Sequence, residues 1–330
     1  MSQLAEKSQP QNLLEISELT KHFPVGDSGL FNKDKQVVRA LDGISFSLKK
    51  GETLGIVGES GCGKSTMGRA ILRLHEPSSG SIVFEGSDIT SISKRDMREK
   101  RKDLQIIFQD PYSSLNPRMT VGAMLSEIVQ THKIVPKKEE FDYVCNLLKE
   151  VGLSEEYYYR FPHEFSGGQR QRVGIARALC VNPKLIVCDE AVSALDVSVQ
   201  SQILNLLQRL KKEHHLTYLF ISHDLSVVKH VSDRVAVMYL GKIVELADKM
   251  DMYADPLHPY TRALLSAIPS TKEEAKRERI ILTGDVPSPL NVPSGCRFHT
   301  RCPIATDKCR EVEPVFTEMS AGHFVACHHV

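Results

Sequence analysis

Residues 58–66 read Gly58-Glu59-Ser60-Gly61-Cys62-Gly63-Lys64-Ser65-Thr66, and no other stretch of the chain restricts its fold so severely. Glycines at 58, 61 and 63 let the backbone curl until its N–H groups converge on an anion. A lysine and a hydroxyl follow at the point where a helix must begin if its positive end is to face that anion. The pattern G-x-x-x-x-G-K-S therefore requires a strand before it and a helix after it. Leu54-Gly55-Ile56-Val57 supplies the strand, and residues 65–74 read as the helix. In such a loop Lys64 lies on the β- and γ-phosphates of a nucleotide, the Ser65 hydroxyl ligates Mg²⁺, and Thr66 reaches the α-phosphate.

Composition limits what surrounds this loop. With 330 residues the chain can bury one large core or two modest ones. Its 41% hydrophobic and 25% charged residues suit a soluble globular protein. A formal net charge of +1 gives no bulk field for nucleic acid. No apolar run approaches the roughly 18 residues of a membrane span. The start, Met1-Ser2-Gln3-Leu4-Ala5-Glu6-Lys7, lacks the pattern of a secretory leader. The expected location is cytoplasmic, with docking onto a membrane protein left open.

Hydrophobic periodicity gives the frame. Strands are expected at about 13–19, 37–48 and 53–57, with a loop at Gly26, Asp27, Ser28 and Gly29. Further strands are expected at 81–86, 104–108, 185–188 and 217–221, and a closing hairpin at 235–239 and 242–246 around Gly241. Residues 111–165 carry helical patterns at 121–131 and 141–151 and read as a helical insert. Helices are expected at 169–179 and 200–212, then a proline-bearing helical stretch beyond Asp251 and a solvated charge run at 272–279. The expected fold is α/β: a phosphate-loop nucleotidase core with a mainly parallel sheet, an antiparallel β subdomain, the helical insert and a small cysteine-rich extension. The expected division is 1–110 and 169–250 for the two parts of the nucleotide-binding core, 111–168 for the insert and 251–330 for the extension.

Two carboxylates, Asp189 and Glu190, end the apolar run Leu185-Ile186-Val187-Cys188. Asp189 suits an outer partner of Mg²⁺, and Glu190 suits a base that polarises the attacking water. Together with Phe165-Ser166-Gly167-Gly168-Gln169, these residues resemble the nucleotide-binding subunit of ATP-binding-cassette transporters. The resemblance implies ATP as substrate with Mg²⁺, and a dimer in which each half completes the other's site. It implies that Ser166 and the Gly168 N–H reach the γ-phosphate held by the opposite subunit, and that Ser193-Ala194-Leu195-Asp196 crosses the interface. It further implies that Gln109 senses Mg²⁺ and water, that His223 donates to the γ-phosphate and orients Glu190, and that Phe23 stacks on adenine. Taken alone, Phe23 and His223 would be core or structural residues.

Phe108-Gln109-Asp110-Pro111-Tyr112-Ser113-Ser114-Leu115-Asn116-Pro117 and Leu257-His258-Pro259-Tyr260-Thr261-Arg262 narrow the resemblance to oligopeptide and dipeptide permeases, and to their F-type subunit. The implied partners are a D-type ATPase subunit, two membrane permease subunits and an extracytoplasmic peptide-binding protein, with the chain peripheral on the cytoplasmic face. Ala191 departs from the group, which more often has proline there, and its loss frees the backbone after Glu190. The competing functions are a soluble cassette ATPase acting on nucleic acid or ribosomes, and a regulatory partner that hydrolyses little. A single cassette without sustained heptads speaks against the first.

Of eight cysteines, Cys62, Cys145, Cys180 and Cys188 are scattered, whereas Cys296, Cys302, Cys309 and Cys327 crowd the end. The spacing x5, x6, x17 lacks C-x-x-C knuckles, and four thiolates suit either zinc or an iron–sulfur cluster. Metal-free packing thiols are the third reading. The segment 295–304 resembles the end of peptide-permease ATPases, where relatives hold a [4Fe–4S] cluster. His299 and His323 are possible additional zinc ligands, while His328 and His329 read as a solvated tail.

Overall fold

The computed structural model describes residues 12–25, 36–268 and 279–330. The loop expected at 26–29, the first residues of the chain and most of the charge run at 272–279 lie outside the described residues. In chain order, β1 (Asn12–Val25), β2 (Gln36–Lys49) and β3 (Thr53–Val57) lead to α1 (Lys64–Ile71). Next come β4 (Ser79–Phe84), β5 (Ser87–Asp88), α2 (Lys94–Lys100) and β6 (Leu104–Ile107). The insert holds α3 (Pro111–Ser114), α4 (Val121–His132) and α5 (Glu140–Glu150). The chain returns through α6 (Gly167–Leu179), β7 (Leu185–Asp189), α7 (Val197–His214), β8 (Thr217–Ile221) and α8 (Leu225–Val231) to the hairpin β9 (Arg234–Tyr239) and β10 (Lys242–Asp248). Finally come α9 (Lys249–Ala254), α10 (Pro259–Ser266), α11 (Asp307–Glu311), β11 (Thr317–Ser320) and β12 (His323–Val325).

Two sheets result. One is antiparallel, in the order β2-β1-β4-β5. The other runs β11-β12-β10-β9-β3-β8-β7-β6, parallel from β9 to β6. Strands β3, β7 and β8 are buried at every residue, which is why they read as unbroken apolar runs: helices or the other sheet cover both faces. One core unites β7 and β8 with α6, α7 and the insert; the other packs α1 between the two sheets. The scattered Cys62, Cys145, Cys180 and Cys188 are all buried, and burial pushes the Cys180 thiol up to about 12, so it packs as an inert hydrophobe.

Local chemistry moved several boundaries. Helix α7 starts at Val197 because the Asp196 carboxylate accepts from Val199 N at 2.9 Å, and it stops at His215 in the left-handed region, φ 54°. Helix α2 was not expected. Only Met97 on it is buried, so it carries no apolar stripe, and it is set by the Ser93 cap. The hairpin β11–β12 was also missed. Through β12 it pairs with β10 and so lengthens the central sheet with residues of the extension.

Candidate functional site

Three parallel strands deliver the site to one edge. Strand β3 runs into the phosphate loop, β7 into Asp189 and Glu190, and β8 toward His223; ligands of open α/β sheets collect at these carboxyl ends. In the loop Gly58, Gly61 and Gly63 take φ of 154°, 79° and 106°. A Cβ on Gly58 would lie 2.2 Å from Met238 O, and one on Gly63 2.2 Å from Ala40 O, so backbone packs directly against backbone. The buried Lys64 turns its Nζ inside the loop onto Gly58 O at 2.7 Å and Glu59 O at 3.0 Å. These are acceptors that phosphate oxygens can replace.

The Ser65 hydroxyl donates to Asp189 Oδ1 at 2.6 Å, and Arg69 stands 3.7 Å from Asp189 Oδ2. Burial raises the Asp189 pKa, opposed by the Ser65 hydrogen bond and the Arg69 charge. A hydroxyl and a carboxylate side by side are the hard oxygen donors that Mg²⁺ takes, so these residues fit that ion. Across the cleft, Glu190 Oε2 accepts from Gln109 Nε2 at 3.0 Å and lies 3.3 Å from His223 Nδ1. Glu190 itself holds φ 50°, a left-handed conformation that costs about 1–2 kcal/mol for an L-residue. Its turn is pinned without a following proline: Glu190 N donates to Ile221 O at 3.0 Å, and Ser193 N and Oγ donate to Glu190 O at 3.1 and 3.0 Å.

Lys64, Ser65, Gln109, Glu190 and His223 line one cleft of about 600 Å³, together with Phe23, Ser60, Gly61, Gly63 and Thr66; Asp189 is buried behind Ser65. Its remaining lining, Val38, Ala40 and Pro289, was not foreseen from sequence; an aromatic plus small apolar wall suits a base. The Phe23 ring packs edge-on against His75 with centroids 5.5 Å apart, and Lys21 Nζ lies 4.9 Å from the ring centre. Three residues of the loop do not line the cleft. Gly58 packs behind the loop, Cys62 is buried beneath it, and the Glu59 carboxylate turns away to Arg301.

The Phe165–Gln169 segment also lies outside this cleft. Phe165 is buried against Tyr157, and Ser166 caps α6 in a reciprocal box with Gln169: Ser166 Oγ accepts from Gln169 N at 3.3 Å and Gln169 Oε1 from Ser166 N at 2.9 Å. A Cβ on Gly168 would strike Val199 Cγ1 at 2.4 Å, and Gly167 edges a shallow groove with Gln109 and Asp110. Asp196 is exposed, and hydrogen bonds from Ser198 and from Val199 N hold its carboxyl below the ordinary value.

The four late cysteines converge. Cys296 N donates to Cys309 O at 2.8 Å; burial raises the Cys296, Cys302 and Cys327 thiols, Cys296 to about 11, and neighbouring thiols add to each rise. Backbone N–H groups of Phe298, Ile304 and His329 point at the sulfurs of Cys296, Cys302 and Cys327. Tetrahedral zinc at about 2.3 Å from each sulfur would set the sulfurs about 3.8 Å apart. Among the described residues, however, only Glu150, Glu213 and His214 bring three ligand atoms within 4.8 Å of one another. No three of the four thiols lie that close, so as placed they do not form a closed zinc site. Of the expected solvated tail, His329 is exposed while His328 is half-buried. His328 Nε2 lies 2.8 Å from Val312 O and His329 Nε2 lies 3.5 Å from Cys309 Sγ, because the hairpin carries the last residues back over α11. His299 pairs with Cys296 O and His323 with the buried Glu245.

Residues 41–193 match the ABC transporter family, and residues 244–309 match the oligopeptide/dipeptide transporter C-terminal region. The oligopeptide transport ATP-binding protein AppF of Bacillus subtilis (strain 168) is 56% identical over 321 residues, 96% of this chain and 97% of that protein. The probable peptide ABC transporter ATP-binding protein y4tS of Sinorhizobium fredii is 51% identical over 316 residues, 96% of this chain and 89% of its own. Among solved structures, cbiO1 of Clostridium perfringens, part of the transporter complex cbiONQ, superposes with TM-score 0.64 at 31% identity, over 74% of this chain and 91% of that one. The dimeric structure of MJ0796, a bacterial ABC transporter cassette, superposes with TM-score 0.62 at 26% identity, over 72% of this chain and 98% of that one.

Proposed function

The chain belongs to the ATP-binding proteins of ABC transporters, in the oligopeptide/dipeptide branch, and from that premise we propose that it hydrolyses ATP to drive peptide uptake through partner membrane subunits. The observation that carries the hydrolytic part is the meeting of Gln109, Glu190 and His223 across one cleft from Lys64 and Ser65, with Asp189 bonded to Ser65. Phosphoryl transfer needs positioning and charge neutralisation more than covalent chemistry, and each need has a residue here.

Lys64 exchanges its loop carbonyls for phosphate oxygens, and Phe23 stacks on the adenine ring. Ser65 and Asp189 would hold Mg²⁺, which would neutralise charge on the phosphates. Glu190 accepts a proton from the attacking water, and Gln109 and His223 fix its carboxylate in place. Ser166 and the Gly168 N–H serve the γ-phosphate on the opposite cassette, and Asp196 lies in the loop that crosses between the two. That Ser166 and Gly168 sit outside this chain's own cleft supports a site completed by a second cassette. ATP then holds two halves together and hydrolysis releases them, a two-state motion passed to the membrane subunits.

The finer assignments are part of the same proposal. The second cassette is a D-type subunit, and an extracytoplasmic binding protein delivers the peptide. No helix among the described residues is long and apolar enough to cross a membrane. The transporter role would place the chain on the cytoplasmic face, against its membrane subunits. Cys296, Cys302, Cys309 and Cys327 hold a [4Fe–4S] cluster, with zinc as the alternative; a brown anaerobic preparation bleached by dithionite is expected, and a colourless one with stoichiometric zinc overturns it.

Capture of the chain's companions from detergent-solubilised membranes, followed by ATPase assay of the assembly with and without peptide, tests the whole reading. Permease subunits and peptide-stimulated hydrolysis are expected. Capture of nucleic acid or ribosomes, with hydrolysis responding to them, overturns it.

A further inference from the structure

The four-cysteine segment grips the phosphate loop from behind. Arg301, one residue before Cys302 and itself buried, makes a two-pronged ion pair with Glu59: Nη1 to Oε2 at 2.7 Å and Nη2 to Oε1 at 3.1 Å. The fully buried Tyr260 of α10 accepts from Glu59 N at 2.9 Å through its hydroxyl. Its ring is locked between Tyr239 and Phe298, at centroid distances of 4.8 and 5.3 Å. A second strut starts at Arg297, one residue after Cys296. It bonds Leu240 O and the Asp42 carboxylate; Asp42 N donates to Gly241 O at 3.0 Å and Gly241 N to Cys62 O at 2.8 Å. Glu59 and Cys62, two of the three loop residues that do not line the cleft, are thus tied to the extension, Glu59 directly and Cys62 through Gly241 and Asp42. The Gly58–Glu59 peptide is where the extension and Lys64 meet: its N–H donates to Tyr260, and its carbonyl, Gly58 O, accepts from Lys64 at 2.7 Å.

We propose that Arg301 and Tyr260 are positioning residues for nucleotide binding, setting the shape and charge of the phosphate loop through Glu59. This rests on the reading that the cleft binds ATP. Two physical effects act together. The Tyr260 hydroxyl fixes the peptide that orients Lys64. The Arg301 guanidinium cancels a carboxylate built into a loop that must accept a triphosphate. Without Arg301, the Glu59 charge stands unpaired beside the incoming anion and repels it.

The charge argument predicts a rescue that a purely architectural role does not. The measurement is MgATP affinity of the purified full chain by calorimetric or fluorescent-nucleotide titration. Arg301→Gln is expected to weaken binding about tenfold, and adding Glu59→Gln to recover most of that loss, because the repelling charge goes with it. Arg301→Lys, which keeps the charge and loses the fork, is expected to fall between and guards against a variant that fails to fold. Tyr260→Phe is expected to speed hydrogen exchange in the peptide spanning 58–66 while leaving α7 unchanged. Binding by Arg301→Gln within twofold of the parent, or a double variant weaker than the single, overturns the proposal. A parent chain that binds no MgATP overturns the ATP reading itself, a different failure.

Discussion

Gln109 Nε2 donates to Glu190 Oε2 at 3.0 Å, tying together residues that stand just past the ends of the neighbouring parallel strands β6 and β7. The same oxygen lies 3.3 Å from His223 Nδ1, beyond the end of β8. Glu190→Gln keeps the shape of this junction and removes the proton acceptor. Hydrolysis is expected to drop by about 10²–10⁴-fold while MgATP still binds. Turnover assays and size-exclusion in MgATP check this, with a nucleotide-bound paired-cassette species accumulating in the variant. Unchanged turnover in the assembled complex would locate hydrolysis at the partner's site instead.

The phosphate loop separates glycines needed for space from glycines needed for conformation. A Cβ at Gly63 would meet Ala40 O at 2.2 Å, whereas one at Gly61 meets nothing within 4 Å although its φ is 79°. Gly61→Ala is therefore expected to cost only the left-handed strain, about 1–2 kcal/mol. Gly63→Ala must push β2 off the loop and is expected to abolish nucleotide binding. Denaturant unfolding and MgATP titration of the two variants check the contrast.

The phosphate loop, the acidic strand end and the parallel core were legible because each carries its own local signal. Glycines, a buried apolar run and terminal carboxylates need no tertiary knowledge to be read. The grip on Glu59 was not legible. Arg301 and Tyr260 lie far along the chain from the loop they touch, and nothing in a lone tyrosine or arginine says which backbone it will meet. Strand β12 escaped for a similar reason: three residues without alternation become a strand only because the edge of β10 is there to pair with.

Phe23 lines the cleft beside Val38 and Ala40. Stacking is tolerant of the base, since every base has a π-face. Phe23→Ala is expected to weaken MgATP and MgGTP about equally, by roughly 5- to 30-fold for a contact of about 1–2 kcal/mol. Competition titration with the two nucleotides checks it. A loss confined to one base would show that hydrogen bonding, not stacking, recognises the ring.

The extension carries its own dependence on pH. His258 is buried where it caps α10: its Nδ1 accepts from Tyr260 N at 3.1 Å, its ring lies 5.7 Å from that of Phe298, and its backbone N–H donates to Glu245 Oε2 at 3.0 Å. Burial pushes the imidazole pKa down to about 3, from 6.5 in the free side chain. Between these values the unfolded segment binds a proton that the folded one refuses, so stability is complete above pH 6.5 and falls as pH drops toward 3. Lowering pH from 7.5 to 5.5 should remove about 1.4 kcal/mol through this residue. His258→Asn keeps a capping acceptor and loses the titration. Denaturant unfolding of parent and variant at both pH values is expected to show the parent losing that much more than the variant. Because Tyr260 follows the cap and holds Glu59, amide exchange at 58–66 should quicken at pH 5.5 in the parent, after correction for the intrinsic rate, and stay level in the variant.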